Sequence, residues 1–151
     1  MRARLPLLVV PLLLGSGLPS CGAVIYRYQW ARFELDGEAR GMEGRWRGDW
    51  RSEWNGHSGG LRCMLTEQAP GAYGAYFYST FALVLFFRHE TVFYVIEEEG
   101  GVLRFEGSQD LGQGFGGVYT YRGTVEGDLF RATYGAENGD HGVFEMRRVE
   151  G

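Results

Sequence analysis

The sequence predicts an all-β domain, a small antiparallel up-and-down barrel of about eight strands, with a β-sandwich as the alternative. Short segments of alternating apolar and polar residues are separated by turn signals about 8–12 residues apart, which is typical of both folds. The composition, with 25 glycines and 15% aromatic residues, suits tight turns and rings packed across strands. Successive hairpins favour a meander, and closure of a meander removes its two exposed edges. We therefore prefer the barrel to the sandwich.

The first 20 residues have the layout of an export signal. Arg2 and Arg4 precede an apolar stretch over residues 5–14, and small residues follow as far as Ser20. A stretch of about ten apolar residues is too short for a membrane-spanning helix, which needs roughly twenty. Residues 1–20 are therefore predicted to be a signal peptide.

The end of this segment resembles the lipobox of bacterial lipoproteins, with Leu18 and Ser20 at fitting positions before Cys21. The resemblance implies a lipid on Cys21 and an exported protein anchored in a membrane of the cell envelope. Cleavage after Gly22 or Ala23 by an ordinary signal peptidase is the alternative, and it would give a secreted or soluble periplasmic protein.

The second cysteine depends on the fate of the first. If Cys21 is acylated or removed, Cys63 has no partner in the chain. If Cys21 keeps a free thiol, an exported compartment would permit a bridge between Cys21 and Cys63.

The remaining residues are predicted to form an anchor and tether segment, 21–43, and a single barrel domain, 44–149. The tether contains two apolar clusters, 24–26 and 30–33, which suit either an extra strand or a short amphipathic helix. We expect it to pack on the domain.

The charge balance argues against nucleic acid as a partner. The full chain has a net charge of −4, and loss of Arg2 and Arg4 with the signal would leave 13 basic against 19 acidic residues. Proteins that bind nucleic acid derive their affinity mainly from cationic contacts with phosphate.

The clearest strand is predicted over residues 45–54. Three tryptophans, a glycine and a serine occupy one parity, and arginines and acidic residues occupy the other. Since side chains alternate across a strand, one face is tryptophan-rich and the other is charged, as in a half-buried strand. The charged face argues against a barrel embedded in an outer membrane, where lipid would meet Arg and Glu.

The later strands alternate with turns rich in glycine, asparagine and aspartate, and we expect the last strand to pair with the first. They are predicted over residues 61–67, 73–78, 91–96, 102–106, 118–125, 129–134 and 142–148. The apolar run 81–87 is interpreted as an additional, fully buried strand. An exposed portal flap and a patch that touches the membrane are the alternatives.

This arrangement resembles the calycin barrels, which include lipocalins and avidins. The resemblance rests on Gly44-Arg45-Trp46 at the start of the first strand, on the meander and on the closing segment 142–148. It implies a ligand cavity at the mouth of the barrel, and it identifies neither a ligand nor a binding residue.

Aromatic residues on the first and third strands are the candidate ligand-binding residues. They either line a cavity for an apolar or sugar-like ligand or fill a solid barrel, as in many small barrels. The candidates are Trp46, Trp50, Trp54, Tyr73 and Phe77.

These features favour a non-catalytic domain that binds a small apolar ligand or an envelope partner. One alternative is an interaction module with a solid core, which docks another protein through its loops or through the face that carries Arg45, Arg47 and Arg51. The other is a small hydrolytic enzyme. The glycine-rich segment 112–117 is predicted to be a lip of the barrel on which Gln109, Asp110 and Phe115 are placed to touch a ligand or partner.

No catalytic residue, metal site or cofactor is predicted. His57, His89 and His141 are each expected in or beside a turn, and no His-x-x-x-His or Cys-x-x-Cys spacing accompanies them. Cys63 shares its predicted face with leucines and is expected to be buried and inert. Ser58 lacks the flanking glycine pattern of a nucleophile elbow.

Overall fold

The computed structural model describes residues 21–35, 37–82 and 85–150. The region begins with a helix, α1, Cys21–Ala31, and a short 3-10 helix, Gln113–Phe115, precedes the sixth strand. The eight strands are β1 Gly44–Ser52, β2 Ser58–Ala69, β3 Ala72–Phe81, β4 Leu85–Glu99, β5 Val102–Asp110, β6 Val118–Glu126, β7 Leu129–Ala136 and β8 His141–Val149. The predicted signal peptide lies outside the described residues.

The strands form one closed barrel in which each strand pairs antiparallel with the next. β8 returns to pair with β1, and Trp46 lies opposite Arg148 while Trp50 lies opposite Phe144. The predicted up-and-down barrel and the predicted pairing of the last strand with the first are therefore confirmed, and the sandwich alternative is wrong.

The first strand has the alternation that the sequence predicts. Trp46 is fully buried, whereas Arg47 and Asp49 on the opposite parity are exposed. The strand ends at Ser52, two residues earlier than predicted, because the Ser52 hydroxyl accepts hydrogen bonds from the backbone amides of Trp54 and Asn55 and starts a turn.

The prediction of a fully buried strand over residues 81–87 is wrong. β3 ends at Phe81 and β4 begins at Leu85, and residues 83–84 lie outside the described part of the chain. Ala82 has a φ of 51°, in the left-handed region that suits a reversal of the chain. Phe81 is half-buried and Phe87 is exposed, so the apolar run belongs to the rim of the barrel.

The opposite rim is closed by a segment that precedes β1. Met42 and Trp46 have no exposed surface, and the Trp46 Nε1 donates to the carbonyl oxygen of Met42 at 2.9 Å. The guanidinium carbon of Arg148 lies 4.3 Å from the centroid of a Trp46 ring, a cation–π arrangement. We call this rim the closed end of the barrel.

Phenylalanine rings from three strands fill the barrel next to the closed end. Phe93, Phe105 and Phe130 contact one another with centroid distances between 4.7 and 6.1 Å. They form the main core together with Trp46 and Met146. Buried aromatic rings stabilise a fold through the apolar area they bury and through favourable edge-to-face contacts.

Helix α1 packs on the outer surface of β2 and β3. Tyr26 is fully buried, stacks on Tyr78 at 4.8 Å and meets Tyr76 edge-on at 5.0 Å. Trp30 lies under the guanidinium groups of Arg45 and Arg62. Of the two alternatives for the tether, the helix is the one that forms. No helix of the described residues is both long and apolar enough to cross a membrane.

Candidate ligand-binding site

A pocket of about 380 Å³ opens at the rim opposite the closed end. We call this rim the open end. The pocket is built from inward-facing side chains near one end of seven strands and from the loops that join those strands. Its lining is mainly aromatic and consists of Trp50, Leu61, Phe77, Ser79, Phe81, Phe86, Phe87, His89, Leu111, Phe115, Tyr119, Tyr121, Tyr134, Asp140 and Phe144.

The structure distributes the five sequence-predicted ligand residues among three environments. Trp50 and Phe77 line the pocket. Trp46 and Tyr73 are buried in the core toward the closed end. Trp54 lies in the turn after β1 and is 55% exposed. The five residues therefore do not form one surface.

The predicted glycine-rich lip contributes one side chain to the pocket. Phe115, in the short 3-10 helix, meets Phe87 edge-on at 5.2 Å across the mouth. Asp110 caps the start of the lip by accepting a hydrogen bond from the amide of Gly112 at 2.7 Å. Gln109 belongs to β5, and its Oε1 is buried without a hydrogen-bond partner in the described part of the chain.

His89 forms part of the pocket wall, and the prediction that it lies in or beside a turn is wrong. It lies in the body of β4, with its imidazole stacked between Phe77, at a centroid distance of 4.9 Å, and Tyr121, at 6.4 Å. Its Nδ1 is buried and has no hydrogen-bond partner among the residues described. Burial lowers the pKa of His89 to about 4, so the ring is neutral at pH 7.

A cluster of polar side chains at the mouth of the pocket is centred on Asp140, in the turn between β7 and β8. The Asp140 Oδ1 accepts hydrogen bonds from the hydroxyls of Ser52 at 2.7 Å and Tyr134 at 3.4 Å. Burial raises the pKa of Tyr134 to about 12, and the nearby carboxylate adds to the shift. Burial and the same carboxylate also raise the pKa of Tyr119, so Asp140 affects the titration of two tyrosines.

Sequence reasoning missed most of these lining residues, although a signal existed for some of them. Tyr119 and Tyr121 share a parity in β6 and alternate with Thr120 and Arg122, a pattern that places both tyrosines on one face. No comparable signal exists for Asp140, because it lies in a turn.

The remaining candidate chemistry is dispersed. Cys63 is fully buried, and burial raises the pKa of its thiol well above the usual value. His57 and His141 are exposed at the rim. In residues 21–35, 37–82 and 85–150, no group of three or more His, Cys, Asp or Glu side chains has the arrangement of a metal site.

The predicted arginine face is partly covered by the protein itself. Arg45 donates to the backbone carbonyl of Trp30 at 3.2 Å, so helix α1 lies against one end of that face. Arg47 and Arg51 remain exposed, and Arg51 is 3.9 Å from the carboxylate of Glu53.

The fold and the pocket together define an eight-stranded up-and-down barrel with an aromatic pocket at one end. A similar fold occurs in a de novo designed fluorescence-activating β-barrel, with a TM-score of 0.51, 18% identity and coverage of 72% of this chain and 94% of that one. The redesigned barrel mFAP1, solved with DFHBI bound, has a TM-score of 0.53 and 13% identity, over 71% of this chain and 94% of its own.

Fatty-acid-binding protein 1 of Echinococcus granulosus matches with a TM-score of 0.36 and 17% identity, over 72% of this chain and 98% of its own. No protein-family profile matches the chain, and no curated protein is similar to it in sequence. At these identities the likeness to solved structures is a likeness of fold.

Proposed function

We propose that this protein is a non-catalytic binding protein that holds a small apolar ligand in the pocket at the open end of the barrel. The observation that carries the proposal is the pocket of about 380 Å³, whose walls are mostly inward-facing aromatic rings. Ligand pockets typically have volumes of about 300–1,000 Å³ and combine apolar walls with a few polar groups. His89, Ser79 and Asp140 are such polar groups here.

The division of the barrel into two ends supports this proposal. Inward rings fill the closed end, whereas at the open end Trp50, Phe77 and Tyr121 border free volume. The designed barrel mFAP1, which has DFHBI bound, illustrates that a barrel of this size accommodates a small molecule. The identity of the ligand does not follow from that likeness.

The test is to fill the pocket. Ser79 lines it and is only half-buried, so Ser79→Trp places an indole in the free volume without enlarging a side chain of the main core. We expect the parent to bind Nile red, a neutral apolar dye, and the variant to lose at least about tenfold in affinity by fluorescence titration, which corresponds to about 1.4 kcal/mol.

The matched control is Ser108→Trp, which adds the same side chain on the exposed outer face of β5. It should bind the dye as the parent does. Equal loss in both variants, or no binding by the parent, would contradict the proposal. A native mass spectrum of the parent made in an exporting host should show mass that is lost on denaturation.

We further propose that the protein is exported and anchored to an envelope membrane by a lipid on Cys21. The layout of residues 1–20 and the lipobox-like residues before Cys21 support this proposal. Cys21 belongs to α1, the helix that packs on the barrel.

Cys21→Ala in the full chain tests the anchor. In a bacterial host we expect the parent to fractionate with membranes and Cys21→Ala to lose that association, since a single thiol carries the lipid. Cys63→Ala is the control, because Cys63 is buried in the barrel, and it should remain with the membranes. A Cys21→Ala variant as membrane-bound as the parent would contradict the anchor and leave the binding proposal unaffected.

A further inference from the structure

The charge inside the pocket restricts the kind of ligand that it can hold. Among the described lining residues, Asp140 is the single one with a formal charge at neutral pH, and no arginine or lysine lines the pocket. His89 supplies no positive charge, because burial keeps its imidazole neutral. A carboxylate that entered this pocket would give up water without meeting a cation, which is costly.

The Asp140 carboxylate retains capacity for a further partner. A carboxylate accepts about four hydrogen bonds, and Asp140 accepts two in the described structure, from Ser52 and Tyr134. Both bonds are to neutral hydroxyls, so neither compensates the negative charge. No salt bridge to Asp140 forms within the residues described.

Aromatic rings line the same pocket as this carboxylate. The rings of Tyr119 and Tyr134 stack with a centroid distance of 6.0 Å, and the Tyr134 hydroxyl donates to the Asp140 Oδ1 at 3.4 Å. Trp50 belongs to the same lining. The faces of such rings carry negative electrostatic potential and attract ammonium groups, most strongly where water is excluded.

We propose that the pocket is selective for small amines, with the apolar body of the ligand among the aromatic rings and its ammonium group at the Asp140 carboxylate. This inference rests on the proposed function, since it requires that the pocket binds a small molecule. It adds the head group of that molecule: cationic ligands are preferred to neutral ones, and carboxylates are rejected.

The structural role of Asp140 can be separated from its charge. The carboxylate joins the turn after β1 to the turn before β8 by accepting from Ser52, and an asparagine carbonyl can accept the same hydrogen bond. Asp140→Asn therefore keeps the link and removes the charge. Asp49→Asn is the matched control, because Asp49 is exposed on the outer face of β1.

The experiment compares three naphthalene probes that differ in head group, measured by isothermal titration calorimetry at pH 7 and low salt: 1-naphthylmethylamine, 1-naphthylmethanol and 1-naphthoate. We expect the parent to bind the amine about five- to tenfold tighter than the alcohol, and the alcohol tighter than the acid. Asp140→Asn should reduce the affinity for the amine to that for the alcohol. Asp49→Asn should change neither affinity.

The outcomes separate this inference from the function on which it rests. If the alcohol binds but the acid binds as tightly as the amine, or if Asp140→Asn retains the preference for the amine, the amine selectivity is overturned and the binding function stands. If none of the probes binds the parent, the binding function is overturned and the selectivity with it. The comparison of head groups on the parent remains decisive if Asp140→Asn does not fold.

Discussion

At the scale of single residues, the pocket is distinguished by a polar ring held among aromatic rings. His89 is stacked between Phe77 and Tyr121, and its Nδ1 lacks a hydrogen-bond partner within the described structure. Burying a polar atom in this way costs free energy, and protonating the ring there costs more. His89 therefore makes the stability of the protein depend on pH.

The direction of that dependence follows from the pKa. Burial lowers the pKa of His89 from 6.5 to about 4 in the folded protein, so the unfolded chain binds the proton more readily between these values. The free energy of unfolding therefore has its full value above about pH 6.5, where His89 is neutral in both states, and it decreases as the pH falls toward 4. Tyr121 is the titratable group stacked on the ring, and it stays neutral throughout this range because burial raises its pKa.

We predict that lowering the pH from 7.5 to 5 costs the parent about 2 kcal/mol more in free energy of unfolding than it costs His89→Phe. Phenylalanine keeps a flat ring between Phe77 and Tyr121 and removes the titrating group. Urea unfolding at the two pH values measures the difference. His57→Gln, at an exposed rim position, should behave as the parent does, and an equal pH dependence in His89→Phe would contradict the assignment.

At the scale of elements, closure of the barrel depends on places where a strand has no room for a side chain. Gly48 faces inward on β1 and pairs with Met146 on β8. A Cβ built on Gly48 would overlap the backbone carbonyl oxygen of Glu145. Because a backbone carbonyl cannot move without disturbing the pairing, this glycine permits the close approach of the strands that close the barrel.

Gly48→Ala should therefore lower the free energy of unfolding by about 3 kcal/mol, the upper range for overpacking a well-packed site. Gly135→Ala on β7 is the control, since its Cβ would meet only the Thr120 hydroxyl at 3.9 Å, and it should be neutral or stabilising by up to about 1 kcal/mol. Urea unfolding followed by tryptophan fluorescence measures both. Equal stability of the two variants would show that β1 and β8 tolerate a wider separation.

At the scale of the whole molecule, the two ends of the barrel have different roles. The closed end is held by Arg148, which stacks on Trp46, pairs with Asp128 at 3.0 Å and donates to the carbonyl oxygens of Gly41 and Glu43. The open end carries the pocket. Stability and ligand binding should therefore respond to different substitutions.

Arg148→Met should lower the free energy of unfolding by about 3 kcal/mol, because it leaves several hydrogen-bond acceptors at the closed end without their donor. The affinity for Nile red should remain that of the parent under conditions in which the variant is folded. Arg131→Met removes an exposed pair with Glu145 and should cost less than about 1 kcal/mol. A large loss of dye affinity in folded Arg148→Met would show that the two ends are coupled.

Local patterns in the sequence are sufficient to predict the barrel and the order of most of its strands. The alternation in β1 and the turns around Gly100, Gly127 and Gly139 are local signals, since strand periodicity and left-handed glycines each act over a few residues. The tryptophan-rich face of β1 likewise predicts Trp50 as a pocket residue, and Trp50 lines the pocket.

The position of the open end, and the set of residues that meet there, follow from contacts between strands and not from any local pattern. The run 81–87 is apolar enough for a buried strand, but it lies at the rim where β3 turns into β4. Closure of β8 on β1 brings Ser52 to Asp140, and His89 on β4 stacks on Tyr121 of β6 although β5 lies between their strands. Such contacts join different strands, so the periodicity of one segment cannot predict them, and the pocket exists only once the barrel has closed.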